Sequence, residues 1–127
     1  MASQNNSGRQ YDKQHSVTIV ATDAISRHRF VGYDGQHATD AGGVKDVQGV
    51  SETSADVGEA LSLITGYSAL VEVAAGESIA FGDYVKPAAD GSGAAMVGAV
   101  DDHCGRALGA GTEEQIIEVQ VLRQVHP

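Results

Sequence analysis

Apolar and polar residues alternate in short runs along this chain, and glycine punctuates the runs. The clearest stretch is Gly58 to Gly91, where Gly58-Glu59, Gly76-Glu77 and Gly82-Asp83 separate β-type segments. Leu61, Leu63 and Thr65 fall on one face of a first run, and Ala69, Val71 and Val73 on one face of a second. Period two is the signature of a strand with one buried face. Gly66-Tyr67 lies between the two runs as a tight-turn signal, so Glu59–Thr65 and Tyr67–Val73 are expected to form a hairpin.

The same reading extends to the rest of the chain. Ser16 to Thr22 predicts a strand with Val17, Ile19 and Ala21 on one face. Ala24 to Tyr33 predicts another, closed by the hairpin-type turn Asp34-Gly35. Val47 to Glu52 is a short strand broken by Gly49. Ser54 is a good helix cap with Asp56 behind it, but Gly58 argues against continuation, leaving one helical turn or a loop. Asp83–Lys86 is stopped by Pro87, which cannot donate to a ladder. Asp90-Gly91-Ser92-Gly93 is a turn, and Ala94–Val100 resumes a weak strand. In the last run, Ile117, Val119 and Val121 alternate with Glu118, Gln120 and Leu122. About eight short strands at such spacings predict an all-β fold, a small antiparallel β-barrel or sandwich with short helical turns.

Residues 1–15 stand apart as an N-terminal arm, and 16–127 as the β-rich domain. Past Met1 and Ala2, Tyr11 is the only sizeable apolar body in the arm. Such a segment buries too little to offset its ordering entropy and is expected to order on a partner or fray.

Composition narrows the function classes. Aromatics make up 5% of 127 residues and Trp is absent, so Ala, Val and Gly must build a thin core. The net charge is −9 and is unevenly placed. Residues 1–29 hold four basic and two acidic side chains, a net +2, and the other 98 hold four basic and fifteen acidic, a net −11. An acidic body does not attract phosphate backbones, so direct nucleic-acid binding is not expected. No stretch reaches the length of a membrane span, and MASQNNSGRQ does not read as a secretory signal.

Candidate chemistry is sparse. Asp101-Asp102-His103-Cys104 is the densest cluster of reactive types, but neighbouring residues in extended chain point to opposite faces, a poor setting for a Cys-His pair. It reads as an acidic turn leading into a strand, with Cys104→Ser expected to leave folding and binding nearly unchanged. A single cysteine forms no internal disulfide, and the five histidines show no ligand spacing. Gly105–Gly111 (GRALGAG) and Asp40–Lys45 (DAGGVK) lack phosphate-loop spacing and read as turns. Lys86, between Val85 and Pro87, lacks the flanking residues of a biotin- or lipoate-carrying hairpin. No catalytic, cofactor or metal site is expected.

From about Ile25 to Val121 the chain resembles the head-decoration, or capsid-cement, proteins of tailed bacteriophages. The resemblance rests on Arg29-Phe30-Val31 followed by Asp34-Gly35; Gly49-Val50; Gly58-Glu59 with Leu61 and Leu63; and Gly66 with Ala69-Leu70-Val71-Glu72. It continues through Gly82-Asp83-Tyr84-Val85-Lys86, Asp90-Gly91 and Gly105-Arg106-Ala107-Leu108. It departs at Gly111-Thr112-Glu113-Glu114, where that family often has a bare Gly-Asp corner. The resemblance implies a non-enzymatic protein on the outer capsid surface of a virion, assembled in the host cytoplasm. It would bind the major capsid protein at subunit junctions and associate with itself, commonly as a trimer and sometimes as a dimer. Arg9, Tyr11, Lys13, Arg27, Arg29 and Phe30 are the candidate capsid-binding residues, being types useful at interfaces. The competing expectation is a small-ligand or carbohydrate-binding β-barrel, which six scattered aromatics support poorly.

Overall fold

A computed structural model describes residues 16–41 and 43–126. Among them there are eleven strands and no helix. In chain order these are β1 (Ser16–Val20), β2 (Phe30–Gly32), β3 (Val47–Ser51), β4 (Ala60–Ile64), β5 (Ser68–Glu72) and β6 (Ser78–Ile79). They are followed by β7 (Tyr84–Pro87), β8 (Ala95–Val97), β9 (His103–Ala107), β10 (Gly111–Thr112) and β11 (Ile116–Val125). All strand pairs are antiparallel. One sheet runs β1-β4-β3-β2, a second β5-β11-β9-β7-β8, and β6 pairs with β10.

The main core lies between the two large sheets. Phe30 and Val50 from the first meet Ala69, Val71, Val85, Cys104, Ala107, Ile117 and Val119 from the second. Among the described residues Phe30 is the one aromatic there, and the rest are small or β-branched side chains, as the composition requires. The other face of the four-stranded sheet is also covered. Val31, Leu61 and Leu63 pack under Ala21, Ile25 and Ala55 from the flanking loops. This explains why β2 is buried along its whole length, whereas β4 alternates.

The expected hairpin between Glu59–Thr65 and Tyr67–Val73 does not form. β4 pairs with β1 and β3, while β5 joins β11 in the other sheet. The Gly66-Tyr67 signal does mark a sharp change of direction, with Tyr67 at φ 61°. A turn signal fixes where the chain bends but not which sheet receives the next strand. Here Ala69 and Val71 lie opposite Val119 and Ile117, and both pairs belong to the inter-sheet core.

Two further expectations change for the same kind of reason. Gly49 does not break β3. A Cβ at Gly49 would lie 2.7 Å from the Ile64 carbonyl oxygen, so glycine lets β3 run close to β4. Gly105 is likewise inside β9 rather than in a turn. The segment from Ser54 onward forms a loop, because its backbone is engaged at long range: Ile25 and Ala55 exchange two hydrogen bonds, and Gly58 N–H donates to the Ala21 carbonyl. The Asp34-Gly35 and Asp90–Gly93 turns form as expected, with Gly35 at φ 78°.

Candidate functional site

Arg9, Tyr11 and Lys13 lie outside the described residues. The other candidates, Arg27, Arg29 and Phe30, are close in sequence yet have different surroundings. Arg27 is exposed in the loop before β2. Arg29 bridges the two halves of the fold: Nη1 donates to the Ser92 carbonyl at 2.8 Å, and Nη2 lies 3.3 Å from Glu72 Oε1. Phe30 is 2% exposed in the main core. Its ring therefore offers no contact surface, because alternation at β2 turns it inward. Between Arg27 and Arg29, His28 takes φ 62° and pairs its backbone with both sheets, donating to Ser51 and accepting from Glu72.

The Asp101–Cys104 cluster is also divided by alternation. Cys104 is 4% exposed, and burial pushes its thiol far above the usual range, so it is held neutral. His103 turns the other way. Its Nδ1 lies 3.0 Å from the Ala99 carbonyl oxygen, and its ring packs on Tyr84 with centroids 4.4 Å apart. Arg106 covers the Tyr84 ring at 4.6 Å. These contacts explain His103 as a packing residue rather than a base for the thiol.

Asp102 belongs to a four-membered charge cluster that sequence spacing did not reveal. Lys45 Nζ lies 2.8 Å from Asp40 and 2.5 Å from Asp102. Lys86 Nζ lies 3.1 Å from Asp40 and 2.8 Å from Asp102. Each ammonium thus meets both carboxylates. The four side chains retain only 16–24% of their accessible surface. Hydrogen bonding from Lys45, and then from Lys86 against the opposing effect of burial, holds Asp40 below its ordinary value. At Asp102 burial acts most strongly and upward, but the two lysines outweigh it and the net direction is down. Lys86 is raised chiefly by its hydrogen bond to Asp102. At Lys45 burial pulls downward, yet its two carboxylate partners leave it raised. All four groups are therefore charged near neutrality, and the cluster acts as a structural clamp. Lys86 in particular is held by two carboxylates, unlike the free lysine of a carrier hairpin.

The surface also carries a cleft of about 290 Å³ between β5 and the β3–β4 side of the other sheet. Val50, Ile64 and Leu70 give it an apolar lining, and His28, Glu52 and Ser68 a polar one. Tyr67 and Leu70 on its rim are 67% and 49% exposed. The sequence reading missed this feature because it expected β5 to pair with β4, whereas β5 lies in the other sheet and faces the β3–β4 side across the cleft.

Two sheets with this strand order, the larger one containing the ten-residue β11, can be compared with solved structures. The chain is similar in fold to the head fiber gp8.5 N base of bacteriophage phi29. The likeness covers 88% of this chain and 97% of that one, with a TM-score of 0.58 and 18% sequence identity. It is therefore a likeness of the whole architecture rather than of one motif, and at that identity it is one of fold. The sequence matches no protein-family model and no curated protein.

Proposed function

We propose that this chain is a structural protein of a phage head, bound to the outer surface of the capsid and reinforcing it at junctions between major capsid subunits. The observation that carries the reading is the near end-to-end fold likeness to a base domain of a phage head fiber. The sequence resemblance to capsid-cement proteins points the same way from different features, namely the order of its glycine corners and strand motifs. The physical character of the domain fits a static role. Its central ionisable groups are used in the Asp40–Lys45–Lys86–Asp102 clamp, and its thiol is buried and neutral.

In this reading the protein is not an enzyme, and its partners are the major capsid protein and further copies of itself. Many modest contacts repeated by capsid symmetry supply avidity. Arg9, Tyr11, Lys13 and exposed Arg27 are the proposed contact residues. Their cationic character suits acidic patches on a shell, which the body, at −11 outside residues 1–29, would repel.

The test is addition of the purified protein to capsids of the same phage from which it has been omitted. It should co-sediment at saturable stoichiometry and raise the temperature at which the capsids disrupt. Capsids that neither retain the protein nor change in disruption temperature would refute the proposal.

A further inference from the structure

β5 ends the five-stranded sheet and has β11 as its strand neighbour on one side only. The hydrogen bonds show which of its backbone groups face away. Val73 N–H donates to the Gln115 carbonyl, and Val121 N–H donates to the Tyr67 carbonyl. Odd-numbered residues in this segment therefore face β11, and even-numbered ones face outward. Glu72 follows the rule, since its N–H donates outward to the His28 carbonyl at 2.9 Å. Further back along the strand, Ser68 and Leu70 direct their N–H and C=O groups into the cleft between β5 and the β3–β4 side. Among the described residues no strand is hydrogen-bonded to them on that side. An edge of this kind, beside an apolar-lined cleft, is a template for one more extended segment.

We propose that the occupant in the free protein is the chain's own N-terminal segment, Arg9 to His15, added along the outer edge of β5. The position of β1 supports this. Ser16 lies opposite Ile64, and Ile64 is a wall of the cleft. Neighbouring strands are about 4.8 Å apart, so the segment enters β1 beside the cleft. Seven extended residues reach about 23 Å, more than the length of edge that Ser68 to Leu70 presents.

The chemistry of the segment matches the walls. Arg9, Tyr11, Lys13 and His15 alternate with Gln10, Asp12 and Gln14, so an extended conformation puts the two cations and the aromatic ring on one face. Glu52 lines the cleft, opposite in charge to Arg9 and Lys13, while Glu72 at the end of the β5 edge already has Arg29 as its partner. Leu70 and Ile64 offer Tyr11 an apolar bed. Docking there also covers Leu70, which is otherwise about half exposed. This inference does not depend on capsid binding. If the same residues contact a shell, they must first leave the β5 edge.

The experiment is residue-resolved amide hydrogen exchange on the full-length chain. Thr18 and Val20 gauge an open edge, because β1 ends its sheet and Ala21 N–H faces β4. The Ser68 and Leu70 amides should exchange at least about tenfold more slowly than those of Thr18 and Val20, after correction for intrinsic rates. The protection should be independent of protein concentration and should vanish in full-length Arg9→Glu/Tyr11→Ala/Lys13→Glu. Ser68 and Leu70 exchanging as fast as Thr18 would overturn the proposal. Protection that grows with concentration would assign the edge to a second copy and overturn it too, as would protection that survives the triple substitution.

Discussion

Asp102→Asn is the most informative substitution in the domain, because it removes one charge from a cluster whose four members depend on one another. In the native protein Lys45 and Lys86 each meet Asp102, at 2.5 and 2.8 Å, and each also meets Asp40. The variant leaves two ammonium groups around one carboxylate. Breaking a fully buried pair costs about 3–5 kcal/mol, and an exposed pair is worth about 0–1 kcal/mol. Side chains with 16–24% of their surface accessible lie between these limits but nearer the buried one. The expected loss is about 2–3 kcal/mol at pH 7, in line with two charge-assisted hydrogen bonds discounted for partial exposure. With a urea m-value of about 1–3 kcal/mol/M, the unfolding midpoint should fall by about 0.7–3 M.

The pH dependence has a definite sign. Asp40 and Asp102 are held below their ordinary value in the folded state. Their contribution is therefore fully present above the unfolded carboxylate pKa, and it is lost as pH falls through the depressed folded value. Below that point native Asp102 is itself neutral, so the gap between native and Asp102→Asn should close. Lys45→Met in the Asp102→Asn background leaves Lys86 balanced by Asp40. It should recover part of the loss, giving a coupling of about 1 kcal/mol or more in a double-mutant cycle. An unchanged midpoint at pH 7, or an equal penalty at pH 7 and pH 2.5, would refute the clamp.

Three further outcomes are expected. Gly105→Ala should lower stability by about 1–3 kcal/mol, because the new Cβ would lie 2.7 Å from Val119 Cγ1 and 2.8 Å from the Gln120 carbonyl oxygen; an unaltered thermal midpoint would mean that β9 and β11 are not packed as described. Cys104 should resist thiol reagents until the protein unfolds, and Cys104→Ser should cost about 1–3 kcal/mol by burying a hydroxyl in the core. That revises the expectation of a neutral change, which ignored burial; Cys104→Ala should be the milder variant, and the urea midpoints of the two decide between them. Removal of residues 1–15 should leave the domain folded, by its unchanged far-ultraviolet spectrum, but lower its occupancy of capsids at limiting concentration; equal occupancy would place the contact surface elsewhere, around Arg27.

The likeness to a head fiber base is one of fold, whereas the resemblance to cement proteins is an expectation from the sequence, and the two rest on different observations. One is a superposition of backbones, the other a series of glycine corners and strand motifs. Neither depends on a catalytic group. Few large side chains and several ion pairs hold the thin core together. Among the described residues Phe30 is the single aromatic between the sheets, and ion pairs tie in the surrounding segments. Lys45 and Asp40 from the long β2–β3 connection, Lys86 from β7 and Asp102 from the turn before β9 meet at one point. Arg29, just before β2, ties that end of the first sheet to β5 through Glu72.

The sequence by itself determined the local facts. Period two at Leu61, Leu63, Val71, Ile117 and Val119 specified strands with one inward face, since alternation is a property of extended backbone. Asp34-Gly35 and Asp90–Gly93 specified turns for the same local reason. The isolation of Cys104 from His103 was also legible, because adjacent residues in a strand diverge. Tertiary structure decided which strands pair, and that decided the sites. β4 and β5 are separated by three residues and lie in different sheets, so their boundary became a cleft instead of a hairpin. Phe30 looked like a contact residue beside two arginines until pairing with β3 turned it into the core. Asp40 and Asp102 are sixty-two positions apart, yet they share both lysines. No spacing rule reaches that far. Contacts between distant residues are set by which sheet buries which face, a balance over the whole chain that no local pattern contains.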